Sequence, residues 1–120
     1  LACLRRRDLK VQSFKVGPDY IDPMFHQYVT GLPCRNLDPI LTSEAYVQQC
    51  FARHSQGVEF ALIEGVMGLF DGVGNREENP LPITNYPLPI THYQLPIPFA
   101  STAHIARLLD VPVVLVIDCR

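Results

Sequence analysis

Five residues of this chain have the types and spacing to do chemistry together. Lys15, Asp19 and Asp22 lie within eight positions, directly after an apolar stretch at 11–16. Glu64 and Asp71 lie in a glycine-rich stretch, EGVMGLFDG at 64–72, again directly after an apolar run. A lysine neutralises a transferring phosphoryl group as a point charge. Carboxylates hold Mg2+, which keeps several waters and bridges phosphate oxygens. Glycines at 65, 68 and 72 allow tight turns and close approach of backbone to a ligand. One lysine or aspartate in a loop is ordinarily a solvated charge. Two such clusters, each placed after a strand-like run, point to a site for metal and phosphate.

The elements that must position these groups follow from pattern. Residues 2–8 read as a helix end whose basic last turn, Arg5 to Arg7, suits the C-terminal dipole. Residues 11–16 read as a strand, stopped by Gly17 and Pro18. A long loop is expected up to about Asp38, with one helical turn at 24–28. Thr42 or Ser43 can cap a helix running to about Ser55, with Gly57 as its stop. Residues 60–63 read as a buried strand. Ser101 and Thr102 can cap a helix over 104–110, and 113–117, the most apolar run, reads as a further strand. Apolar strands alternating with helices imply an α/β fold with a parallel sheet covered on both faces. In such sheets ligands bind beyond the carboxyl ends of the strands, which is where both clusters fall.

Composition narrows the classes. The 120 residues suffice for one small domain, and a net charge of -2 gives no reason to expect nucleic acid or an anionic membrane as partner. No apolar run approaches the ~20 residues of a membrane span. The four cysteines form no C-x-x-C pair and read as reduced thiols of a cytoplasmic protein. The four histidines, His26, His54, His92 and His104, lack metal-ligand spacing and read as surface or structural groups. A tandem repeat, PLPITNY then PLPITHY then QLPI, fills 80–97. Its prolines forbid helix, so 79–98 is expected to be an extended insertion that makes no new pattern of catalytic residue types, His92 standing alone in it.

Long segments in this order resemble the ATP-dependent synthetase domain of the cobyrinic acid a,c-diamide synthases. They are KVGPDYIDP at 15–23, RNLD at 35–38, EGVMGLFDG at 64–72, STA at 101–103 and PVVLVID at 112–118. The resemblance implies a P-loop NTPase-like, dethiobiotin synthetase-like fold, here in part, over 1–120. It implies ATP- and glutamine-dependent amidation of the a and c side chains of cobyrinic acid in cobalamin biosynthesis, through a phosphorylated carboxylate. It assigns Glu64 and Asp71 to Mg2+ and phosphoryl chemistry, and Asp19 and Asp22 to carboxylate activation. Tyr20 and Ile21 would shape the choice of side chain, and Lys15 would meet the phosphoryl group. A corrinoid substrate and a glutaminase domain in the same chain are the implied partners. The family's phosphate loop, G-x-x-x-x-G-K-S/T, does not occur in these 120 residues. The chain therefore reads as a piece of a larger protein, inactive alone. The alternatives are the hydrogenobyrinic acid a,c-diamide synthases, or a non-catalytic remnant that presents a proline-rich ligand.

Overall fold

A computed structural model of the chain describes residues 1–73 and 97–118. The sheet has three parallel strands: β1 (Val11–Val16), β2 (Arg35–Leu37) and β3 (Phe60–Glu64), in the order β2-β1-β3. Four helices accompany it: α1 (Ala2–Arg5), α2 (Ile21–Thr30), α3 (Glu44–His54) and α4 (Thr102–Leu109). This is the expected α/β architecture with a parallel sheet, as in part of a P-loop NTPase-like fold.

The central strand organises everything else. Every residue of β1 is buried, including Gln12, Ser13 and Lys15. Phe14 and Val16 join Leu37, Val47, Cys50 and Ile105 in the core, and the ring of Phe14 lies 5.1 Å from that of Phe51. Gln12 gives its amide protons to the carbonyls of Ser13 and Pro33, so its burial leaves no donor unpaired there.

Caps set the helix boundaries. Ser43 accepts from the N–H of Tyr46 and starts α3, and Ser101 accepts from that of His104 and starts α4. His104 then joins two helix starts: Nδ1 accepts from the N–H of Ala100, and Nε2 lies 2.8 Å from Glu44 Oε1. The buried ring thereby ties the start of α3 to that of α4.

Two expectations change around β1. The segment after Gly17 is not a loop with one turn but a ten-residue helix, α2. Asp19 Oδ1 accepts from the N–H groups of Ile21 and Asp22, and Gly31 closes the helix in the left-handed region at φ 74. Pro23 falls in the first turn, where its missing N–H costs no helical hydrogen bond. The second change is β2, a three-residue strand at 35–37 inside the supposed loop.

The strand expected at 60–63 forms, but it is only half-buried, with Phe60 and Ala61 exposed. The strand expected at 113–117 does not form among the described residues. That run joins no sheet, and Val114 and Val116 are each 89% exposed. An apolar, β-branched run favours extended chain, but a strand also needs a partner edge for its N–H and C=O groups. Pattern reveals the first requirement and not the second. Of the insertion expected at 79–98, with its repeat at 80–97, residues 79–96 lie outside the described residues.

Gly72 packs where no side chain fits. A Cβ there would stand 2.5 Å from the Phe99 carbonyl oxygen and 2.9 Å from the Ser101 nitrogen. The neighbouring Val73 N–H donates to that same Phe99 carbonyl in an isolated antiparallel bridge. Gly72→Ala is therefore expected to destabilise the protein by about 1–3 kcal/mol, the usual range for overpacking. A urea midpoint unchanged from the parent would show that the bridge yields without cost.

Candidate functional site

Lys15 is the hub of a charged cluster at the carboxyl ends of β1 and β3. Its side chain is only 8% exposed. The ammonium donates to the Gly65 carbonyl at 2.9 Å and pairs with Asp22 Oδ2 at 2.8 Å. Asp19 Oδ2 and Glu64 Oε2 each stand 3.9 Å away. The sheet register explains this gathering. Lys15 is the cross-strand partner of Glu64 on one side and of Asn36 on the other. Asn36 donates to the Asp19 carbonyl at 2.7 Å and holds the turn from β1 into α2. Asp22 then enters the cluster from the first turn of α2.

Lys15, Asp19, Asp22 and Glu64, taken from separate parts of the sequence, thus meet in one place. Asp71 lies apart from the ammonium, in a tight turn where its Oδ2 accepts from the Gly68 N–H at 2.7 Å. It does share the wall of an open hollow of about 560 Å3 with Lys15, Asp19 and Asp22. Tyr20 and Ile21 border the same hollow and are largely exposed. Glu64 stands beside the hollow and not on its wall. A further hollow, of about 460 Å3, runs along α3 past Cys50 and Arg53, away from this cluster.

Sequence reasoning missed two members. His26, on α2, is buried, and its Nε2 lies 2.6 Å from Glu64 Oε2. Its Nδ1 lies 3.4 Å from Cys34 Sγ. The signal was present: His26 follows Asp22 by four positions, so a helix over 21–30 puts both on one face. Reading that segment as a loop hid the relation. Cys34, read only as one of four reduced thiols, has its thiol pKa pushed up by burial, which keeps it a neutral S–H group.

The cluster carries a surplus of negative charge. Around the single ammonium stand Asp19, Asp22 and Glu64, with Asp71 across the hollow. Such a donor set suits a hard divalent cation. No three His, Cys, Asp or Glu converge as a metal cage among the described residues. Mg2+ does not call for one, because one or two carboxylates with water and phosphate oxygens usually hold it.

Comparison with known proteins finds relatives along the whole chain. The chain is 60% identical over its full length to the cobyrinate a,c-diamide synthase of a Synechocystis species, covering 21% of that protein. It is 54% identical over 99% of its length to that of a Synechococcus species, covering 22%. It is 41% identical over its full length to the hydrogenobyrinate a,c-diamide synthase of Mycobacterium tuberculosis, covering 23%. No family model and no solved structure matches. Fold and cluster define part of a parallel α/β domain with a polar site beyond its strand ends. More narrowly, the chain is homologous from end to end to a segment of the cobyrinate a,c-diamide synthases. It spans about a fifth of the length of these relatives. No helix among the described residues is long and apolar enough to cross a membrane.

The hydrogen bond from Lys15 is the main cause that lowers the pKa of Asp22 below its ordinary carboxylate value. The folded chain therefore binds that proton more weakly than the unfolded chain does. Its stabilising contribution is complete at neutral pH and disappears as pH falls through the lowered value. Asp22→Asn should flatten the acid limb of stability against pH, followed by denaturant midpoints. An acid limb as steep as the parent's would place the titrating group elsewhere.

Proposed function

We propose that this chain is the carboxylate-activating part of an ATP- and glutamine-dependent cobyrinic acid a,c-diamide synthase. The single observation that carries the reading is the Lys15 cluster. A buried ammonium and three carboxylates stand at adjacent strand ends, in a chain homologous throughout to such synthases. In this reading a carboxylate oxygen of the corrinoid side chain attacks the γ-phosphorus of ATP. The bond to the bridging oxygen of ADP breaks, and an acyl phosphate forms. Ammonia released from glutamine by a glutaminase domain of the same protein then displaces inorganic phosphate and leaves the amide.

The residues divide this work by position. Lys15 is held in place by Gly65 and Asp22, and it offers its charge to the phosphoryl group during transfer. Asp19 and Asp22 border the hollow where the side-chain carboxylate would enter and would serve its activation there. Tyr20 and Ile21, exposed at the border, would shape the choice of side chain. Glu64 and Asp71 would hold Mg2+, which when bound neutralises phosphate charge. The rival reading, a non-catalytic remnant, gains nothing from the cluster. A buried lysine ringed by acids is an expensive arrangement for a surface that only docks.

In the full-length enzyme, Glu64→Gln should lower ATP-dependent amidation by about a hundredfold or more, since metal charge stabilisation is worth several kcal/mol. Asp71→Asn should act in the same direction. Unchanged amidation in Glu64→Gln would end the metal role of Glu64, and a full-length parent that does not amidate cobyrinic acid would end the proposal.

A further inference from the structure

His26 is the one buried member of the cluster to which the reaction above gives no task. Its two ring nitrogens face two different neighbours: Nε2 lies 2.6 Å from Glu64 Oε2, and Nδ1 lies 3.4 Å from Cys34 Sγ. The ring is thus fixed between β3 and the segment that leads into β2.

The effect on Glu64 is asymmetric. Oε2 is sealed from solvent, lying 2.6 Å from His26 Nε2 and 3.9 Å from Lys15 Nζ. The His26 approach is close but lies off the N–H axis, so Oε2 lacks an aligned hydrogen bond. The side chain as a whole is nonetheless 44% exposed. Its exposure thus belongs to the rest of the group, and Oε1 is the oxygen left for a ligand. No backbone neighbour beyond β3 helps to fix this carboxylate, because β3 is the sheet edge among the described residues.

We propose that His26 is a positioning residue for the amidation reaction. It holds Glu64 by Oε2, with its own ring placed by Cys34 on the other side, so that Oε1 is presented to Mg2+. This inference rests on the assignment of Glu64 to the metal under the function proposed above. It adds a residue outside that assignment, of the kind that orients a ligand without touching the ion.

Two substitutions of similar size separate positioning from packing. Glutamine places an amide nitrogen about where Nε2 stands, and asparagine places one about where Nδ1 stands. In the full-length enzyme, His26→Asn is expected to lose about ten- to hundredfold in kcat, the usual effect of removing such a partner. Mn2+ should bind correspondingly more weakly in the presence of a non-hydrolysable ATP analogue, as read by electron paramagnetic resonance. The KM for the corrinoid and the melting temperature should stay near those of the parent. His26→Gln should recover most of both losses. Equal kcat and Mn2+ affinity in the two variants and the parent would overturn the inference. So would equal losses in both variants with a lowered melting temperature, the mark of a packing role. Glu64→Gln serves as the control. If it amidates normally, the reading of Glu64 fails and this inference with it. If it is inactive while His26→Asn is unimpaired, this inference alone fails.

Discussion

A lysine ammonium on the central strand is the constraint around which the molecule is arranged. Lys15 lies on β1, a strand buried along its whole length, so its charge has left bulk water. Such a charge is costly unless it is paired and hydrogen-bonded. The fold answers with one carbonyl and three carboxylates, drawn from three local structures. The Gly65 carbonyl and Glu64 come from the end of β3, Asp19 from the turn after β1, and Asp22 from the start of α2. Remove the ammonium, and these acids face one another without a countercharge. The site is thus part of the reason the strand ends and α2 stand where they do.

This arrangement links the turn chemistry to the chemistry of the site. Asp19 acts twice, through Oδ1 on the first N–H groups of α2 and through Oδ2 toward Lys15. Asn36, on the short strand β2, fixes the carbonyl of the same residue. A small change in that turn would move α2 as a body, and Asp22 and His26 with it. Thr102 plays a comparable part across the sheet. Its hydroxyl accepts from the Val66 N–H, and it packs so closely on Gly65 that a Cβ there would lie 2.6 Å from the hydroxyl oxygen. The start of α4 is thereby set against the loop that supplies both Glu64 and the carbonyl bound by Lys15.

Much of this was legible in the sequence, and the failures have physical causes. The strands at 11–16 and 60–63 and the caps at Ser43 and Ser101 were visible because apolar runs and capping residues are local signals. Lys15, Asp19, Asp22 and Glu64 were readable as one site because parallel sheets gather the loops at their carboxyl ends. Helix α2 was not, because Pro23 reads as a breaker unless its place in the first turn is known. Missing α2 meant missing His26, whose role depends on helical spacing. The run at 113–117 failed for the opposite reason. Its local preference for extended chain is strong, but it pairs with neither edge of the described sheet, and no local pattern reports that.

Glu64 brings these strands of argument together. It ends a strand with one hydrogen-bonded neighbour, β1, and its side chain is the most exposed of the three acids around Lys15. A carboxylate on an edge strand would ordinarily sample several rotamers, and ordering it carries an entropic cost. Here that cost is met before any ligand arrives, by contacts from two directions: Lys15 across the sheet and His26 from the helix above it. Both partners are themselves fixed, the lysine by Gly65 and Asp22, the imidazole by its burial and by Cys34. Preorganisation of this kind matters most where charge develops during reaction, because fixed groups need no rearrangement at that moment. The most exposed acid of the cluster is thus held by its least exposed members, which is what the metal role proposed for Glu64 would require.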